Sequence, residues 1–339
     1  MSVLKLSRWR APFKLVFVLI LLLPCWSYPV PRTLRPGFIN AVRTHIIQGT
    51  EHLFPGHQSL EGHSNFLGES SHGKRKQRIL DVKGQEHSLF IKIFYEKTPI
   101  AERRRTIETT KALGAVWGYP KLFWHDPRYQ VMITEFLEGH HPDQDYFKNP
   151  ETLKVFMEKL KASHALLPTL PLHFDNKSLR YRSLRRLREL LKVAPDMKER
   201  LVKAEKFLDS LKPSFTHVVH GDIQASNIIV GGSVALIDWS EVSHGDVFED
   251  LGSLAEQMDF TAEQEHQMVE AYFGAVTPEN LAKLEKYRLL NRLHFGCYLV
   301  RQGFKKLERQ KARRPKGAYG LYLEPQIQKG MALLKPFLD

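Results

Sequence analysis

Residues 218–239 read VVHGDIQASNIIVGGSVALIDW. Two short apolar runs flank Gly231, Gly232 and Ser233, residues that favour a tight turn. Folding that hairpin brings Asn227 and Asp238 together at its open end, with Asp222 in the loop just before the first strand. Two carboxylates and one amide at the mouth of an apolar hairpin have a definite chemistry. They offer oxygen ligands for Mg²⁺, and a carboxylate that can orient a hydroxyl and take its proton, as phosphoryl transfer requires. Asp and Asn also favour turns for local reasons, so the ordered combination carries the reading rather than any one residue.

A third segment follows, Gly245-Asp246-Val247-Phe248-Glu249-Asp250-Leu251. An HGD…N loop, an ID-W strand end and a GD…DL segment, in this order, resemble the aminoglycoside phosphotransferase and choline kinase family. The resemblance covers about residues 56 to 300 and is most specific over 219–251. It implies that Asp222 is the catalytic base, that Asn227 and Asp238 hold Mg²⁺, and that Asp250 steadies the catalytic loop and a helix. The spacing from Asp222 to Asn227 equals that of the protein-kinase catalytic loop. His220 is expected to fix that loop, and His164, in the helix LKASHAL, to pack. One departure is Ser240, where many members carry an acid before the next residue, here Glu241.

The elements that must position these groups follow from periodicity. Arg78–Lys83 and Ser88–Phe94 alternate apolar and polar residues, as half-buried strands do, with a hairpin connection at 84–87. Ser70–Gln77 reads as a basic loop insertion. A helix is expected over 99–113, then strands near Leu122–His125 and Val131–Phe136. Beyond Gly139 the pattern is helical over 150–167, 178–192, 195–211, 262–273, 278–308 and 322–337, interrupted by the strand-rich island 217–239. This is the layout of an α+β, protein-kinase-like two-lobe fold. A small β-rich, nucleotide-binding N-lobe would span 56–139 and a larger, mostly helical C-lobe 140–339, with ATP and Mg²⁺ between them.

The resemblance extends to the N-lobe. Lys92 would contact the α/β-phosphates, held by Glu108 or, failing that, Glu102. Read alone, it is an ordinary outward-facing strand lysine, a common feature. Gly62, Ser64 and Asn65 resemble the segment whose backbone N–H groups approach phosphates, in a loop before the first of the two strands. The backbone from Glu135 to Leu137 would hydrogen-bond adenine.

Of the 339 residues, 42% are hydrophobic and 26% charged, the balance of a globular protein, and the formal charge is +13. Two cysteines, Cys25 and Cys297, exclude a disulfide framework, and no paired-cysteine motif supports zinc. Arginines crowd residues 180–188 and lysines with arginines 305–316. Solvated helix faces are the default, and an anionic membrane surface or an anionic acceptor are the functional alternatives. No nucleic-acid partner is expected, since no recognised binding motif accompanies the charge.

The basic excess also argues against a polycationic antibiotic as acceptor. Choline, an amino alcohol, a sugar or a lipid headgroup remain, and Trp239 with other aromatics could box a cationic headgroup. Residues 1–28 place basic residues before the apolar run Leu15–Trp26, shorter than the ~20 residues of a bilayer span, and read as a signal-like or anchor segment. Residues 29–55 read as a linker with a short helix near 38–48. A need for ATP favours a cytoplasmic or membrane-associated location. The competing functional reading is a catalytically silent pseudokinase, a nucleotide-binding module tethered at a membrane.

Overall fold

The computed structural model describes residues 36–65, 72–80, 82–83, 85–96, 98–114, 119–166, 178–212, 215–311 and 325–338. The chain divides into two compact units after Leu137. The signal-like segment at 1–28 lies outside the described residues. Among the described residues no helix is long and apolar enough to cross a membrane.

The first unit is built on a five-stranded antiparallel sheet of β1 (Gln58–Asn65), β2 (His72–Leu80), β3 (Glu86–Phe94), β4 (Leu122–His125) and β5 (Val131–Glu135), in the order β1-β2-β3-β5-β4. The two-residue period of β3 sorts its side chains. Leu89, Ile91 and Ile93 join Ile79, Val131 and Ile133 on one face, where Ile46 of helix α1 (Pro36–Leu53) closes the core. Phe94 lies on the opposite face with Met132 and with Ile107 of helix α2 (Ile100–Leu113).

Two expectations are corrected here. The stretch read as a linker carries the 18-residue helix α1, which continues past Gly49 to Leu53. Gly49 reads locally as a helix stop, yet a Cβ there would come within 2.4 Å of the Trp124 ring, so its bareness serves packing. The second correction concerns 72–77, read as part of a basic loop. These residues are strand, paired on one side to β1 and on the other to β3. Hydrogen bonding on both edges holds a polar sequence that has no apolar alternation of its own.

The second unit is mostly helical. It contains α3 (Pro150–Leu166), α4 (Leu179–Val193), α5 (Val202–Ser210), α6 (Phe248–Gln257), α7 (Ala262–Phe273), α8 (Pro278–Lys311) and α9 (Pro325–Leu334). The long α8 is the spine against which α4, α6 and α9 pack, while α3 packs on α7. Helix α7 starts with a capping box between Thr261 and Gln264. A three-stranded sheet runs in the order β6 (Gly139–His140), β8 (Ile228–Gly231), β9 (Val234–Leu236), and β7 (His217–Val219) pairs with β10 (Ser243–Gly245). Helix α6 had no place among the expected helices. Its residues Phe248 to Ala255 are all buried, the polar Glu249, Asp250 and Ser253 included, although Phe248, Leu251, Leu254 and Ala255 keep a helical spacing.

Candidate active site

The hairpin closes as its sequence demands. Ile228 pairs with Leu236, and the Ile237 N–H donates to the Asn227 carbonyl at 2.9 Å. Asp238 therefore emerges directly beside Asn227. It sits in the left-handed region (φ 65°, ψ 65°), a conformation that costs energy outside glycine and concentrates at functional sites. Asn227 Nδ2 donates to the Asp222 carbonyl at 2.9 Å and to Asp222 Oδ2 at 3.0 Å. Gln224 Nε2 donates to the same Oδ2 at 3.1 Å. One oxygen of Asp222 is thus fixed, while Oδ1 accepts no hydrogen bond among the described residues.

Because Asn227 uses its amide nitrogen on Asp222, its carbonyl oxygen is the end left to serve as a ligand. That oxygen and the Asp238 carboxylate suit Mg²⁺, which takes one or two protein oxygens and completes its shell with phosphates and water. No group of three or more His, Cys, Asp or Glu side chains among the described residues could hold a metal ion alone. The donor set therefore fits an ion that arrives with a nucleotide.

The loop carrying Asp222 is held from behind. Asp250, fully buried on α6, accepts from the N–H of His220 at 2.7 Å, the N–H of Gly221 at 2.8 Å and His164 Nε2 at 2.9 Å. Burial pushes its pKa up. The hydrogen bond and charge of His164, the charge of His220 and the Gly221 N–H outweigh that and hold it below the ordinary value. The Tyr272 hydroxyl lies 2.7 Å from His164 Nδ1, so a relay runs from α7 through α3 to the loop. His164 does more than pack.

His220 Nδ1 accepts the Asp222 N–H at 3.2 Å, so its Nε2 carries the proton and donates to the Ile237 carbonyl at 3.0 Å. One ring ties the loop to the hairpin mouth. Asp222 itself is half-buried, and burial pushes its pKa up. His220 and Arg182 pull it back, whereas Glu241 and Asp238 push it further.

Gly221 has φ 78°, and a Cβ there would sit 2.6 Å from the Glu241 carbonyl oxygen and 2.8 Å from Arg182 Nη2. Arg182 is the residue that sequence reasoning missed. Only 4% exposed, it donates to the Gly221 carbonyl and to Glu241 Oε2, both at 3.0 Å. The signal was available: position 182 falls on the stripe 179, 182, 183, 187 and 190 that α4 buries. A uniformly solvated arginine face is thereby corrected. The aromatic box is corrected too, since Trp239 is buried against the His220 ring at 4.5 Å between centroids.

The remaining expected residues belong to the first unit. Lys92 is 2% exposed, not an outward-facing strand lysine, and lies opposite Met132 with its Nζ 5.2 Å from the Phe94 ring centre. Glu108 on α2 is half-buried and makes no ion pair among the described residues. Gly62, Ser64 and Asn65 stand inside β1, opposite Gln77, Arg75 and Lys74, rather than in a loop before the sheet. They form the end of β1 that leads into the β1–β2 connection. At the end of β5 the Glu135 N–H donates to Lys121 and the Phe136 N–H to Ser88. The Leu137 N–H has no partner among the described residues.

Comparison with known proteins bears on this arrangement. The model of the phosphotransferase enzyme family matches residues 86–289. A choline kinase from Streptococcus pneumoniae superposes with a TM-score of 0.58 at 16% identity, over 88% of this chain and 99% of that one. An ethanolamine kinase from Plasmodium vivax gives 0.58 at 15% identity, over 91% of each chain. The gentamicin complex of APH(2″)-IIa gives 0.54 at 14% identity, over 89% and 96%. These likenesses show the protein-kinase-like fold. A search of curated proteins found no match. With the family model spanning more than half of its length and the HGD…N, ID-W and GD…DL segments all inside the match, the chain belongs to the phosphotransferase enzyme family.

Proposed function

We propose that the protein transfers the γ-phosphoryl group of ATP to a hydroxyl of a small molecule. Asp222 is the base: Oδ2 is fixed by Asn227 and Gln224, and Oδ1 is presented to the acceptor hydroxyl. Burial raises its proton affinity, which suits a carboxylate that must take a proton in the transition state. Asn227 and Asp238 would hold Mg²⁺, which supplies charge neutralisation on the phosphates when bound. Lys92, with Glu108 as its carboxylate, would contact the α/β-phosphates. The backbone of β1 at Gly62, Ser64 and Asn65 would cover them. Adenine would take the Glu135 carbonyl and the Leu137 N–H, since the intervening Phe136 N–H is committed to Ser88.

The observation that carries the reading is the half-fixed Asp222 beside Asn227 at the hairpin mouth. The test is ATP consumption with Mg²⁺ across a panel of hydroxylated acceptors, beside Asp222→Asn. Turnover dependent on an acceptor and lowered about 10²–10⁴-fold in the variant is expected. Nucleotide binding with no acceptor-dependent turnover above that of the variant would favour the silent module instead.

A further inference from the structure

Arg186 lies one turn along α4 from Arg182, and residues four apart share a helix face. Arg182 touches the carbonyl of Gly221, the residue before Asp222, and the next position on that face is turned to the same side of the helix. The Arg186 guanidinium covers the face of Tyr298, 4.7 Å from its ring centre. Its one hydrogen bond among the described residues runs from Nη1 to the His294 carbonyl at 3.4 Å, the long end of the range. Arg186 forms no ion pair among the described residues, although a guanidinium has five N–H donors. Tyr298 is 38% exposed and Arg186 half-buried, so the pair stands at the margin of the surface.

We propose that Arg186, seated on the Tyr298 ring, binds an anionic group of the acceptor, a carboxylate or a phosphate, next to Asp222. The inference rests on the phosphotransferase reading and names the substrate class of that site. Electrostatics agree with the geometry. Burial and the like charge of Arg182 lower the Arg186 pKa to about 10, while Glu241 and Asp222 partly restore it, so the guanidinium is partly desolvated, charged and within the field of the catalytic loop. His294 is buried, and its pKa is driven well below the ordinary value by burial and by the charges of Arg186, Arg182 and Arg185. An anion relieves this concentration of positive charge. A quaternary ammonium does not, because the chain's own cation already covers the Tyr298 face. A planar fork over an aromatic ring is the arrangement that grips carboxylates and phosphates in two places at once.

The experiment measures binding, which does not require turnover. The full chain and its Asp222→Asn variant are titrated calorimetrically with glycerol, glycerate and glycerol 3-phosphate, in the presence of a non-hydrolysable ATP analogue and Mg²⁺. At least one of the two anions is expected to bind about tenfold or more tightly than glycerol, and the better of the two identifies the group. Arg186→Gln is expected to abolish that preference and Arg186→Lys to keep part of it. Arg188→Gln, on the exposed side of α4, is expected to leave it intact. Equal binding of all three compounds, or a preference that survives both Arg186 variants, overturns the proposal. Phosphate transfer to the same compounds is scored separately. Anion binding without transfer to any compound of the acceptor panel would count against the kinase reading alone, and transfer without anion preference would sink this inference alone.

Discussion

Replacing Glu249 with glutamine is expected to change how the stability of the chain depends on pH. Glu249 is 4% exposed, and its Oε2 accepts the Leu179 N–H at 2.8 Å at the start of α4. Burial raises its pKa from the ordinary 4.5 to about 7. The charge of Arg182 and the Leu179 N–H oppose the shift without cancelling it, and the neighbouring Asp250 adds to it. A carboxyl with a raised folded-state pKa binds its proton more tightly in the folded chain than in the unfolded one. Its contribution is complete below 4.5 and is lost as the pH rises through about 7. At about 1.4 kcal/mol for each pH unit, the loss amounts to about 3 kcal/mol.

Urea unfolding followed by tryptophan fluorescence reads this directly, because Trp239 is buried in the same unit. The other shifted groups, Asp222, Asp250 and His294, are present in wild type and variant, so the difference between the two reads Glu249 together with its coupling to Asp250. Relative to Glu249→Gln, the wild type is expected to lose about 3 kcal/mol between pH 4.5 and about pH 8 and nothing further above that. A flat difference across this range would refute the claim that Glu249 is protonated in the folded state near neutrality.

Gly221→Ala places a Cβ against the Glu241 carbonyl and Arg182 at φ 78°. Left-handed strain and overpacking together are expected to cost about 2–4 kcal/mol, with kcat down about 10²-fold as Asp222 moves. Wild-type melting and turnover would show that the loop has room to spare. Tyr272→Phe removes the hydroxyl that meets His164 Nδ1 and leaves a buried ring nitrogen unpaired, at a cost of about 1–3 kcal/mol. Thermal denaturation measures it, and an unchanged melting temperature would mean that the relay to Asp250 does not depend on its outer end.

The hairpin mouth was legible because its information is local. Two apolar runs, a glycine pair and fixed offsets to Asp222, Asn227 and Asp238 settle the register without reference to the rest of the chain, and Ile228 duly faces Leu236. What escaped was non-local. Arg182 falls on the apolar stripe of α4, but its partner there, the Gly221 carbonyl, is set only when the helix docks. The polar run at 72–77 becomes a strand only because partners on both sides supply its hydrogen bonds. Helix α6 keeps the helical spacing of Phe248, Leu251, Leu254 and Ala255, but it is only 10 residues long, and the burial of Glu249 and Asp250 comes from tertiary contacts that no local pattern announces.

Asp222 and Asp250 illustrate how one fold assigns two roles to one residue type. Asp250 is the more deeply buried, and burial alone would raise its pKa, yet three donors converge on it and its pKa falls. A carboxylate so saturated has little capacity left for a substrate proton, and its charge is committed to the backbone of His220 and Gly221. Asp222 receives its side-chain hydrogen bonds on a single oxygen, and burial, with the neighbouring carboxylates Glu241 and Asp238 adding to it, raises its pKa. Environments that drive paired carboxyl groups apart in this way separate a structural anion from a working base. Exchanging the roles would require emptying one site of donors and filling the other. For that reason the proposed base is Asp222, and Asp250 is the anchor that keeps it aimed.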